Sequence, residues 1–176
     1  MTCTVGNHPL RIHPDAAKKV VPTTPQWPSF AGTSQYVGTT GKVSVWVDPS
    51  LGVAGLTNAH DLLNGSSAIV AKNDTIFGTI GGAVNVIVFA LGGQTDGTGG
   101  ADHGGCDYST GQNIEVCTSF GNSARVLALF EAELSECSMG GNLCGMSTGE
   151  ALSRWCASVN PLGNALSAVC LNASIP

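Results

Sequence analysis

The run AVNVIVFAL, Ala83 to Leu91, has only one polar residue, Asn85, and is rich in valine and isoleucine. Such a run predicts a strand covered on both faces, as the inner strands of a parallel or mixed sheet are. A chain built around it needs a layer on each side of its sheet. The neighbouring patterns supply candidates. KVSVWVDP, Lys42 to Pro49, alternates Val43, Val45 and Val47 with polar or aromatic residues and stops at Asp-Pro, which predicts a strand followed by a turn. From Gly55 to Gly78, Leu56, Ala59, Leu62, Leu63, Ile69, Val70 and Ile76 recur at helical intervals across Gly65, predicting one long helix or two short ones. NIEVCTSF, Asn113 to Phe120, reads as a further strand, at the edge of the sheet. GNSARVLALFEAELSECSM follows as a helix opened by Asn122 or Ser123, and TGEALSRWCASV as a shorter one.

The order strand, helix, strand, glycine-rich loop, strand, helix, helix predicts an α+β fold with a small mixed sheet packed against the helix Ser123–Met139. Residues 1–41 contain five of the eight prolines and show no sustained period, so they are expected to form an irregular arm across a single α+β domain of residues 42–176.

Composition narrows the class of protein. Charged residues are 11% of the chain against about 25% in ordinary soluble proteins, and 24 glycines with many Ser, Thr and Asn residues supply the polarity. This predicts a secreted or cell-surface protein. No window approaches 18 uninterrupted apolar residues, and with no apolar signal core at its start the chain reads as a mature form. From Asp96 onward eight acidic residues face only Arg125 and Arg154, a field that disfavours nucleic acid and anionic membrane and favours a cation or a basic substrate. Seven cysteines suggest disulfides; Cys106 with Cys117, Cys137 with Cys144 and Cys156 with Cys170 are plausible local pairs that spacing alone does not fix.

The chemistry centres on LALFEAELSEC, Leu127 to Cys137. Wound at about 100° per residue, Val126, Leu127, Leu129, Phe130, Leu134 and Cys137 share one arc. Glu133 falls inside it, Glu136 at its border, and Glu131 well away, toward solvent. Burying an isolated carboxylate costs several kcal/mol unless a cation, a metal, strong donors or a functional pocket receives it, so Glu133 is the leading candidate for a functional acid.

A strand, an edge strand, a helix with an internal Glu, a Gly-containing turn and then TGEALSRW resemble the core of zincin metallopeptidases of the gluzincin kind, over roughly Lys42 to Val159. In that family the helix carries H-E-x-x-H, whose two histidines bind zinc while the Glu acts as general base, and an acidic residue on a later helix is the third ligand. Laid on AELSE, Ala132 to Glu136, the resemblance makes Glu133 the base and Glu150 the third ligand. Ala132 and Glu136 stand where the histidines belong, and Ala132 cannot ligate, so the site is an altered one.

Asp102, His103 and Asp107 gather on the glycine-rich loop GGADHGGCDY, which can bring His103 and an Asp toward the helix as a mixed carboxylate and imidazole site. The function implied is a hydrolase acting on a peptide or other small substrate. Glu133, Glu136 and His103 would be its catalytic residues, and Glu136, Glu150, His103 and Asp102 would hold a divalent metal ion or polarise the substrate. Two alternatives stay open: an inactive zincin-like protein that binds a peptide or protein partner, and a glycoside hydrolase pairing Glu133 with Glu150 or Asp102, although only ten aromatic residues are present to line a sugar cleft. Other features have plainer readings. Ser147 to Glu150 has the form of a capping box, Glu150 precedes Arg154 by one helical turn, His60 sits on a helix, and His8 and His13 flank prolines in the arm. Cys144 near a His could be a nucleophile, but its pairing with Cys137 speaks against that, and no phosphate loop, dinucleotide fingerprint or nucleophile elbow occurs.

Overall fold

The structure, a computed structural model, describes residues 21–79, 81–90, 101–102, 112–117, 122–139 and 146–159. Its order is β1 (Gln35–Thr40), β2 (Val43–Val47), a 3-10 turn (Pro49–Leu51), α1 (Gly52–Phe77), β3 (Val84–Phe89), β4 (Ala101–Asp102), β5 (Gln112–Cys117), α2 (Ser123–Ser138) and α3 (Ser147–Ser158). The expected α+β class with a small mixed sheet is observed.

The five strands lie in the order β1-β2-β3-β5-β4. Strands β2, β3 and β5 are parallel, and the antiparallel β1 and β4 flank them. Two expectations are corrected. The strand within Asn113–Phe120 lies between β3 and β4 and is not an edge; the two-residue β4 occupies that edge instead. Gln35–Thr40, assigned to the irregular arm, is β1, joined to β2 through Gly41 at φ 54. A side chain is rarely tolerated at that angle, so glycine sets the hairpin there.

Registry sorts the strand residues into two layers. Val45, Val86 and Ile114 are aligned across the three parallel strands, as are Val47, Val88 and Val116, and all six are buried with Leu62, Ile69, Phe130 and Leu134 of the helices. The alternate row, Tyr36, Trp46, Ile87, Glu115 and Ala101, belongs to the opposite face. There Trp27 and Phe30 cover Trp46, Ile87 and Phe89, with Phe30 and Phe89 ring centroids 5.4 Å apart. The nearly uniform apolarity of β3 thus reflects helices on one side and an irregular segment on the other.

Helix α1 runs 26 residues without a break at Gly65. A glycine inside a helix costs about 1 kcal/mol relative to alanine, which burial of Ala59, Leu62 and Ile69 against the sheet outweighs. The carboxylate of Asp48 caps the preceding turn by accepting the Ser50 N–H at 2.9 Å, and Gly78, at φ 85, closes the far end with its N–H on the Asp74 carbonyl at 3.0 Å. Asn122 caps α2, accepting the Arg125 N–H at 2.8 Å. Helix α2 packs against α1, α3, β5 and β4, so it is enclosed on more than one side. Among the described residues no helix is long and apolar enough to cross a membrane.

Candidate functional site

The buried glutamate of α2 is not the one the apolar arc indicates. Glu131 is fully buried, while Glu133 and Glu136 are half-buried. The arc of large residues marks only the side of α2 that meets the sheet. A second face, carrying Ala124, Ala128 and Ala132, packs around Ala157 of α3. Small residues at such positions let helices approach closely, and a side chain between two neighbouring helices is buried without belonging to the large apolar arc.

Beside Glu131 lies a polar cluster spanning α1 and α2. Ser135 donates its hydroxyl to the Glu131 carbonyl at 2.7 Å and lies 3.3 Å from Asn73 Oδ1. Asn73 donates through Nδ2 to Ser138 Oγ at 2.7 Å. Asn73, Ser135 and Glu131 are all buried. Cys156 of α3, also buried, joins this cluster: burial pushes its thiol up from the ordinary value and the Glu131 charge adds to the rise, while a hydrogen bond with Ser135 and the Lys72 charge act in the opposite direction. An inert, protonated thiol is what such surroundings favour. Its expected partner Cys170 lies outside the described residues, as do Cys106 and Cys144; the side chain of Cys117 does too.

Glu136 turns to α3. Ser153 donates its hydroxyl to Glu136 Oε1 at 2.8 Å and lies 3.0 Å from the Glu150 carbonyl. Glu150 is exposed in the first turn of α3, where a carboxylate complements the helix dipole. The residue at the N-cap of α3 is Met146, with no side-chain cap, which puts Ser147 at the first helical position rather than at the cap. Glu133, between half-buried Leu129 and buried Cys137 on the helical winding, stands at the border of the sheet-facing arc.

Of the other candidates, Asp102 is placed by its backbone in β4, opposite Ile114, but its side chain lies outside the described residues. His103, Asp107, His8, His13 and Cys144 lie outside them entirely. His60 is exposed on α1. Among the described residues no group of three or more His, Cys, Asp or Glu is arranged to hold a metal ion. The structure therefore joins Glu136 to α3, keeps Glu133 partly accessible, and withdraws Glu131 from solvent.

Asn73, Ser135, Glu115 and Ser153 are buried polar residues that escaped the sequence reading. Glu115 is fully buried on β5; its signal was a lone acid between Ile114 and Val116, on the face those residues do not share. Ser153 was hidden by its ordinary place in an amphipathic helix. Compared with known proteins, the chain matches no family model, no curated protein and no solved structure.

Proposed function

We propose that the protein is a hydrolase on a zincin-like scaffold with an altered, carboxylate-rich site, in which Glu133 is the general acid or base acting on a peptide-like substrate. The observation that carries this reading is the placing of a partly accessible glutamate on α2, a helix that follows β5 directly and packs against β4, the antiparallel strand at the sheet's edge. An edge strand offers backbone N–H and C=O groups to an extended peptide, and a partly accessible carboxylate on a helix packed against that strand is suited to moving a proton to or from water or a leaving group. The sequence order around it supports the resemblance at the positions of Glu133 and Glu150, and departs from it at Ala132 and Glu136. In this reading Asp102 of β4 and His103, next to it in sequence, would share a divalent cation with Glu150, and that cation would polarise the substrate carbonyl.

The Glu136 to Ser153 hydrogen bond favours a second reading, a catalytically silent relative that binds a peptide. In it Glu136 is a structural link between α2 and α3. The two readings separate on one experiment. Turnover of a peptide library by the purified protein is measured for the unaltered chain and for Glu133→Gln, with metal content determined before and after chelator treatment. The hydrolase reading expects turnover that falls about 100-fold or more in the variant with its melting temperature unchanged. Peptide binding without turnover in both proteins supports the silent relative. Turnover unaffected by Glu133→Gln removes Glu133 from the chemistry.

A further inference from the structure

The cover on the sheet face opposite α2 differs in kind from the helical cover. Gln26 to Ser34 crosses that face with no regular secondary structure, and Pro25 and Pro28 have no N–H to give to a ladder. Contacts of two kinds, apolar and polar, hold it among the described residues. Trp27 and Phe30 pack on Trp46, Ile87 and Phe89. Trp27 Nε1 donates to Ser34 Oγ at 3.2 Å, closing the segment on itself. Asn113 Nδ2 reaches the Gln26 carbonyl at 3.5 Å. The Ser29 N–H donates to Glu115 Oε1 at 2.9 Å.

We propose that Gln26–Ser34 is a strap that opens as a unit, separately from the helical layer, with Glu115 as its latch, and that opening bares the apolar patch of Trp46, Ile87 and Phe89. A segment with few buried apolar anchors and no ladder hydrogen bonds belongs to the low end of local stability. The latch, at 2.9 Å to a fully buried side chain, is shorter than the ties of Trp27 at 3.2 Å and Gln26 at 3.5 Å. Opening also returns the Glu115 carboxylate to water, offsetting part of the cost of exposing Trp27 and Phe30. The buried indole Nε1 of Trp46, which has no hydrogen-bond partner among the described residues, gains one from water in the same event. The patch lies on the far side of the sheet from α2, so the opening is distinct from any chemistry at Glu133.

Native-state hydrogen exchange on the unaltered chain tests this directly. The Ser29 amide is expected to exchange about tenfold or more faster than the amides of Leu62 on α1 and Phe130 on α2. In Trp27→Ala the Ser29 amide should speed up further while the two helix amides hold their rates. In Glu115→Ala its protection should be lost. Exchange of Ser29 at the same rate as the helix amides overturns the strap as a separate unit. Protection of Ser29 that persists in Glu115→Ala overturns the latch.

Discussion

At the scale of single residues, two glutamates two positions apart on α2 have different surroundings. Glu131 is enclosed near Asn73, Ser135 and Cys156, whereas Glu133 keeps partial access to solvent. Glu131→Ala is therefore expected to lower unfolding free energy by about 2–4 kcal/mol, and Glu133→Ala by less than about 1 kcal/mol, as read from urea denaturation of both variants. Cys156 makes a second contrast. Its folded pKa is raised, so its contribution to stability is complete below the ordinary thiol range and is lost as pH rises through that range to the folded value. Stability measured against pH should fall on the alkaline side, and Cys156→Ala should flatten that limb. The apolar arc pointed to Glu133 as the interior glutamate because large residues bracket it, whereas the structure leaves it half-buried. The sequence concealed Glu131, because the alanines and serines that form the second packing face of α2 are too small to mark a hydrophobic arc.

At the scale of elements, periodicity was informative wherever one packing partner dominated. β2, α1 and the sheet-facing arc of α2 announce themselves by spacing, β3 by its nearly unbroken apolar run, and α1 continues through Gly65 because buried side chains on both sides of it hold the turn. β1 was hidden by its glycine and its irregular register between Tyr36 and Gly38, and β4, at two residues, is too short to carry a pattern. The cap of α2 was legible: Asn122 accepts the Arg125 N–H. Asn122→Ala should cost about 1 kcal/mol, seen as a lower melting temperature, while Asn122→Asp should retain most of the stability because its carboxylate accepts the same bond and complements the helix N-terminus.

At the scale of the whole molecule, the strand directions follow from what separates the strands in sequence. β1 and β2 meet through a tight turn, whereas the parallel pair β2 and β3 requires the full length of α1 between them. The uniformly apolar β3 indicated a covered inner strand, but strand order was beyond reach, because β5 inserts between β3 and β4 through a connection that no local pattern dictates. That insertion has a consequence for biosynthesis. As the chain leaves the ribosome, β3 emerges before β5, and until Gln112–Cys117 arrives the uncharged run Val84–Phe89 offers one whole unpaired edge to any neighbouring chain. A fragment ending at residue 111 should aggregate at concentrations where the full chain stays monodisperse by light scattering, and a synthetic peptide spanning Gln112–Cys117 should delay it.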